Sequence, residues 1–187
     1  MRARHHPRLP RPGVRAHAYL PVMSDGEREL VRRAQRGDTL AMAALLDRLA
    51  PYVARICGPI ALTNGADAAQ ESLIAVFRGL RGLADPDALR GWVRAIAVRE
   101  ALRIARREQR GVTADLTDLP AKGDPQLAAD IRDVLGKLSP EHRAILVLRD
   151  LEGLDERTVA SHLDVPKGTV KSRLARARAS FRKAWSA

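Results

Sequence analysis

The sequence predicts an all-α protein built from two small helical domains that are joined by a flexible linker. Apolar residues recur at helical spacing along most of the chain, and no stretch alternates between apolar and polar residues with a period of two. Hydrophobic residues make up 45% of the 187 residues but aromatic residues only 3%, so Leu, Ala, Val and Ile must build the interior. This composition suits helices better than sheets. The helical pattern is lost over residues 111–123, which we therefore assign to the linker.

Residues 1–23 are predicted to form a disordered basic tail, because they are rich in Arg, Pro and His and show no periodicity. Met1 and Met23 are alternative translation starts, and the second would leave the preceding segment untranslated. No apolar run approaches the ~20 residues that span a bilayer, and no hydrophobic segment of the signal-peptide kind follows the Arg-rich start. We therefore expect a cytoplasmic protein that does not bind membranes.

Four helices are predicted in the first domain, residues 24–110. Ser24 to Glu27 has the form of a capping box, and Asp38 follows a glycine stop to cap the second helix. The inward residues of the second helix are expected to be Leu45, Leu49, Tyr52, Val53 and Ile56. Those of the third, from about Asp67 to Leu80, are expected to be Ala69, Leu73, Val76, Phe77 and Leu80. Asp85-Pro86 begins a fourth helix that ends in an Arg-rich segment near Arg110.

The second domain, residues 124–187, is predicted to end in a helix-turn-helix. Asp124-Pro125 begins a helix with these residues inside: Leu127, Ile131, Val134, Leu135 and Leu138. Ser139-Pro140 begins another, which stops at Gly153 and holds Ile145, Leu148 and Leu151. A short helix from Asp155 then leads through the turn Asp164-Val165-Pro166 into a last helix from Lys167 or Gly168. The apolar stripe of that helix is Val170, Leu174, Ala177 and Phe181.

The distribution of charge points to a nucleic-acid partner. The formal net charge is +11, and the excess lies in residues 1–15, 94–110 and 167–183, while the rest of the chain is mildly acidic. The last helix combines an aliphatic inner stripe with outward Lys, Arg, Ser and Thr side chains. A helix of this kind suits the major groove of DNA, where Arg and Lys pair with guanine edges and hydroxyl groups contact bases or phosphates.

The C-terminal motifs resemble region four of the extracytoplasmic-function (ECF) sigma factors of bacterial RNA polymerase. The resemblance lies in Ser139 to Arg149, Glu152-Gly153-Leu154, and the V-P-K-G-T-V-K-S-R-L-A-R-A-R run that begins at Val165. It implies that the last helix reads the −35 promoter element through Lys167, Thr169, Lys171, Ser172, Arg173 and Arg176. The S-x-x-E cap usual on the preceding helix is here Asp155 with Thr158, and we expect at most a small loss of stability from this departure.

The N-terminal domain is similar to region two of the same family. Asp67 to Arg78 is similar to the D-x-V-Q-E-x-F-L-x-x-W run, which implies docking on the β′ coiled coil of core polymerase through Asp67, Gln70 and Glu71. The resemblance of the whole chain to the family also implies a contact with the β flap of core polymerase. Trp92 to Ala97 resembles the W-L-x-x-I-A run, which implies contacts with the −10 element through Arg94, Arg99, Arg103 and Arg106. The family commonly has Asn and Asp at positions 99 and 103, so phosphate attraction is expected to rise.

The resemblance implies a sigma factor that binds core RNA polymerase and promoter DNA, and family members are often held by an anti-sigma factor. We expect no enzyme, cofactor, metal site or small-molecule substrate. Cys57 is the only cysteine, the five histidines form no ligand pattern, and no phosphate-binding glycine loop or nucleophile motif occurs. Two alternatives stay open from the residues alone: a stand-alone transcription regulator with a LuxR-like helix-turn-helix, and a nonspecific nucleoid or RNA-binding protein.

Overall fold

The computed structural model describes residues 23–109 and 125–186, and every regular element within these ranges is helical. The first domain contains α1 (Asp25–Gln35), α2 (Thr39–Ala61), α3 (Gly65–Gly79) and α4 (Leu89–Glu108). The second contains α5 (Pro125–Gly136), α6 (Pro140–Leu146), α7 (Glu156–Leu163) and α8 (Lys167–Trp185). Short 3-10 turns lie at Leu62–Asn64, Leu80–Gly82 and Pro86–Ala88, and a π-helical turn lies at Val147–Leu151. The predicted linker and residues 1–22 of the predicted tail lie outside the described residues. The all-α fold with two helical domains is confirmed.

Side chains cap four helices at predicted positions, which are Ser24, Asp38, Ser139 and Asp155. Each accepts a hydrogen bond from a backbone N–H in the first turn, where no helical carbonyl is available. The capping box at Ser24 is one-sided, because the carboxylate of Glu27 pairs with Arg90 at 3.0 Å. Asp85 caps the 3-10 turn that precedes α4, not α4 itself. Met23 was predicted to belong to the tail, but its side chain is buried in the core.

Helix α2 is the centre of the first domain and contacts α1, α3 and α4. It continues through Pro59 and stops at Ala61. The tight connection to α3 places Leu62 at a φ of 53° and brings two glycines together. A Cβ on Gly65 would lie 2.8 Å from the Cα of Gly58, so only glycine allows the two helices to approach so closely here.

Four apolar residues that were predicted to face inward are exposed instead. Phe77, Leu127, Ile131 and Leu151 expose 55%, 39%, 38% and 41% of their surface. Phe77 lies at the rim of a groove between α2 and α3. Leu127 and Ile131 lie on α5, which is covered only partly, by α8 and the first 3-10 turn. Leu151 ends the π-helical turn, whose wider spacing moves it off the face that an α-helix would have presented.

The two domains pack against each other along α2 and α4, which contact α6, α7 and the π-helical turn. The buried apolar residues form a cluster that runs through both domains. At its edge the guanidinium of Arg143, only 4% exposed, donates to the carbonyl of Ile60 at 2.8 Å and to that of Leu138 at 2.9 Å. Because one acceptor belongs to α2 and the other follows α5, this side chain ties the domains together. None of the described helices is both long and apolar enough to cross a lipid bilayer.

Candidate nucleic-acid interface

The end of the second domain has helix-turn-helix geometry, as the sequence predicted. Asp164 ends α7 in the left-handed conformation, with φ 51° and ψ 54°, which a short polar side chain tolerates well. The N–H of Val165 closes the turn on the carbonyl of Ala160 at 3.0 Å. Apolar residues of both helices are then buried together, and they are Val159, Ala160, Val170, Leu174 and Ala177. The packing of this stripe leaves the opposite face of α8 to solvent.

That outer face carries the six residues predicted to contact the −35 element. Four are exposed and two, Thr169 and Arg173, are half-buried; the exposed ones are Lys167, Lys171, Ser172 and Arg176. The cations of this set form no ion pair with the residues that the structure describes. Ser172 donates to the carbonyl of Thr169 at 3.1 Å, within the helix. By contrast, Arg178, outside the predicted set, is paired with Asp150.

The electrostatic effect of this face is visible at the start of α6. The pKa of His142 is lowered, first by burial and then by the positive charges of Arg176 and Arg173. Glu141 beside it has a lowered pKa because its hydrogen bond from Arg106 and the nearby cations outweigh the opposing effect of burial. Arg173 lowers the pKa of both groups, and Arg176 also lowers that of His142, so the cations of α8 reach the start of α6 even though burial and Arg106 act more strongly.

Three of the four α4 arginines predicted for the −10 element share one exposed face. Arg99, Arg103 and Arg106 follow each other at helical spacing and are exposed. Arg103 pairs with Glu100 on its own helix at 2.7 Å, and Arg106 pairs with Glu141 of the other domain at 2.8 Å. These contacts are solvent-accessible, so each is weak and easily exchanged for a phosphate.

Arg94 is separated from those three arginines and points into the contact between the domains. Only 14% of its side chain is exposed. Its Nε lies 3.3 Å from Oε2 of Glu152 and 2.9 Å from the hydroxyl of Tyr52. Arg55 of α2 donates to Oε1 of the same carboxylate at 2.6 Å. No sequence signal predicts this cluster, because Tyr52 and Glu152 lie 100 residues apart.

The residues predicted to bind polymerase lie together on the surface of α3. Asp67, Gln70 and Glu71 are all exposed and line a polar cleft of about 300 Å³ that Arg103 and Arg107 close from α4. A second, apolar groove of about 440 Å³ lies between α2 and α3. Its lining residues are Leu46, Ala50, Ala54, Ala66, Ala69, Gln70, Leu73, Ile74 and Phe77. Gln70 lines both, so the polar and apolar surfaces are continuous.

No group of His, Cys, Asp and Glu side chains that could hold a metal ion occurs among the described residues. Cys57 is buried, and its Sγ lies 3.7 Å from the Ser72 hydroxyl and 3.6 Å from the carbonyl oxygen of Ala97. Burial raises the pKa of its thiol to about 11, which keeps it protonated and unreactive.

Comparisons with known proteins identify sigma factors as relatives of this chain. A family model described as Sigma-70, region 4 matches residues 128–181. The ECF RNA polymerase sigma factor SigM of Mycobacterium tuberculosis is 31% identical over 173 residues, which cover 86% of this chain and 88% of the relative. The ECF RNA polymerase sigma factor SigE of Mycolicibacterium smegmatis is 34% identical over 131 residues, 64% of this chain. The chain spans about half of that relative, 51%.

A solved structure shows the same fold. The sigma factor RpoE from Bartonella quintana, crystallised in complex with the anti-sigma factor NepR, superposes with a TM-score of 0.61 at 20% sequence identity. The match covers 75% of this chain and 94% of that one. The likeness extends beyond a single helix-turn-helix to most of the chain.

Proposed function

This chain belongs to the ECF family of RNA polymerase sigma factors, and we propose that it binds core RNA polymerase and positions it on promoters through both domains. The observation that carries the proposal is the outer face of α8. There Lys167, Lys171, Arg173 and Arg176 form no ion pair with any residue in the described ranges 23–109 and 125–186, on a helix that a preceding helix and turn hold outward. The protein then acts as a transcription initiation factor, without catalysis of its own.

The C-terminal domain is proposed to bind the −35 element. A helix of this width enters the major groove, and its N-terminal half meets the base edges. Lys167, Thr169 and Lys171 occupy that half, while Ser172 and Arg176 follow on the exposed side. The guanidinium and ammonium groups supply contacts with guanine bases and phosphates. The hydroxyl groups of Thr169 and Ser172 supply hydrogen bonds to bases or phosphates.

The N-terminal domain is proposed to bind the −10 element along α4. Arg99, Arg103 and Arg106 form a continuous cationic face, and their pairs with Glu100 and Glu141 are solvent-accessible and exchangeable. Guanidinium groups at such spacing favour successive phosphates of one strand, so this face fixes position more than it reads sequence.

Core polymerase is proposed to dock on α3. Asp67 and Glu71 offer negative charge to a basic partner, and the adjoining apolar groove accepts its aliphatic side chains. Phe77 is unusually exposed for a large aromatic residue, and a docked partner would bury its side chain. The docking surface therefore combines a polar patch for orientation with an apolar groove for affinity.

An anti-sigma factor is proposed as a regulatory partner, since the Bartonella sigma factor of the same fold was solved with one. Because polymerase and chromosome share the bacterial cytoplasm, the proposal also places the protein there. The LuxR-like regulator is not favoured, since sigma factors match this chain over most of its length.

Reversing charge on α3 tests the proposal. In the full chain, Asp67→Arg with Glu71→Arg is expected to weaken binding to bacterial core RNA polymerase at least about tenfold, because like charges then face the basic partner. Asp130→Arg with Asp133→Arg on α5 makes the same change of charge on an exposed face elsewhere and should leave binding intact. Equal affinity of the two double variants, measured by size-exclusion chromatography and fluorescence titration, contradicts the docking surface.

A further inference from the structure

We propose that Tyr52, Arg55 and Arg94 form a binding site for a backbone phosphate of DNA, and that Glu152 occupies this site while the two domains are packed together. The inference rests on the proposed function only in that it takes DNA as the ligand. Of the residues in this site, only Arg94 is also a predicted promoter contact.

The three side chains converge on one carboxylate. Arg55 donates to Oε1 of Glu152 at 2.6 Å, the hydroxyl of Tyr52 donates to Oε2 at 2.9 Å, and Nε of Arg94 lies 3.3 Å from Oε2. The guanidinium of Arg55 also lies over the Tyr52 ring, 5.5 Å from its centroid, which orients both groups. Two cations and one neutral donor thus surround a single anion that has only 4% of its side chain exposed.

This donor set suits a phosphate at least as well as a carboxylate. Guanidinium groups bind the oxygens of both anions, and their fixed donors match two oxygens at once. Burial raises the pKa of Tyr52 to about 12, so its hydroxyl remains a donor at neutral pH. Glu152 brings one negative charge to Arg55 and Arg94, and a phosphodiester would bring the same single charge. The carboxylate of Glu152 therefore stands in for a phosphodiester oxygen pair.

The location of the site supports a nucleic-acid ligand. Arg94 lies on α4, the helix that also carries the exposed arginines 99, 103 and 106, and it precedes Arg106 by roughly 18 Å of helix. The second domain covers both ends of this stretch with a carboxylate, Glu152 on Arg94 and Glu141 on Arg106. Both carboxylates come from the segment that spans α6 and the π-helical turn. The carboxylates of Glu152 and Glu141 thus contact the arginines of α4 in the way that two phosphates of a DNA strand would.

The arrangement makes domain packing and DNA binding compete at this site. Glu152 is tethered to the arginines through the same chain, so its effective concentration exceeds that of any DNA in dilute solution. DNA gains the site when the second domain moves away from α2 and α4. We therefore expect the free protein to hold this phosphate site closed.

The experiment measures binding of the full chain to a fluorescent 24-base-pair duplex of mixed sequence, by anisotropy at several salt concentrations and without polymerase. Glu152→Gln is expected to tighten binding about tenfold, equivalent to roughly one charge-assisted contact. The slope of log affinity against log salt should steepen by about 0.9, the release expected for one added phosphate contact. In the double variant Glu152→Gln with Arg55→Gln, most of the gain in affinity and most of the increase in the salt slope should be lost. Arg55→Gln alone should change affinity less than about twofold, because the site is already occupied.

A matched control separates the site from a general effect of charge. Glu29→Gln removes the same charge from an exposed pair between α1 and Arg36, the residue that follows this helix, 2.8 Å away, and should leave the affinity near that of the unaltered chain. Circular dichroism checks that each variant keeps its helices. If Glu152→Gln loses helicity, Glu152→Asp shortens the side chain, keeps the charge, and should give a smaller gain of the same kind.

Two results overturn the inference. One is no gain in affinity or slope for either Glu152 variant. The other is a gain in affinity that persists when Arg55→Gln is added to Glu152→Gln. That result would mean that separation of the domains exposes other cations and that this cluster only joins the domains. Because no polymerase is present, failure here leaves the sigma-factor proposal standing. Failure of the α3 variants to lose polymerase binding likewise leaves the phosphate site untouched.

Discussion

The guanidinium of Arg143 gives a quantitative test of how the two domains are held together. Its Nε and Nη1 donate to the carbonyls of Ile60 and Leu138, and its side chain is excluded from solvent. In Arg143→Met the aliphatic volume is largely kept, but both carbonyls lose their donor. Each unsatisfied buried acceptor costs about 1–3 kcal/mol, so we expect the free energy of unfolding to fall by about 3 kcal/mol. For a chain of this size the melting temperature should fall by about 6–12 °C.

The assay is urea and thermal unfolding of the full chain, followed by circular dichroism at 222 nm. Arg106→Met is the matched control, because Arg106 also joins the domains but through an exposed pair with Glu141. Removing such a pair should cost less than about 1 kcal/mol. If Arg143→Met is as stable as Arg106→Met, or more stable than the unaltered chain, the buried hydrogen bonds do not hold the domains as described.

Three further changes have expected outcomes. Burial, and then the charge of Arg94, lowers the pKa of His162 below its ordinary value of 6.5, so the unfolded chain binds the proton more readily. This contribution to the free energy of unfolding is fully present above pH 6.5 and is lost as the pH falls through the pKa of the folded state. Urea unfolding at a series of pH values should therefore show that the stability of His162→Gln falls less steeply with decreasing pH than that of the unaltered chain. Asp155→Ala removes the α7 cap and should cost about 1 kcal/mol, whereas Asp155→Asn should retain most of it; equal losses would refute the capping role. Gly65→Ala places a methyl group against Gly58 and should cost about 1–3 kcal/mol in urea unfolding, so an unchanged midpoint would contradict the close helix contact.

The sequence predicted the local structure well, because its signals lie within a few residues of each other. Ser139 and Asp155 cap helices by accepting from N–H groups two or three positions ahead, which a short motif reveals. The turn at Asp164 is likewise set by neighbouring residues and the proline that follows. Helical spacing predicted exposed faces on α3 and α8, and the residues that the family resemblance assigned to polymerase and to the −35 element lie together on those faces. The functions assigned to those residues remain proposals.

What the sequence did not predict depends on residues far apart in the chain. Tyr52 and Arg55 meet Glu152 only because the domains pack together, and no periodicity encodes that contact. The same apolar pattern marks a helix face that packs in the core and a helix face that stays exposed in the chain alone. For this reason the sequence predicted that Phe77 faces inward. Leu151 was misplaced for another reason, since a single π-helical turn shifts the helical phase by a fraction of a turn.

Transcription by bacterial core RNA polymerase, with and without the full chain, tests the central claim most directly. On a pool of promoter fragments, the mixture should start RNA synthesis at defined sites that share elements near −10 and −35, while core enzyme alone should not. Loss of these starts with Asp67→Arg and Glu71→Arg would tie the effect to α3. If the chain neither co-elutes with core enzyme nor creates any defined start, its role as a sigma factor is contradicted.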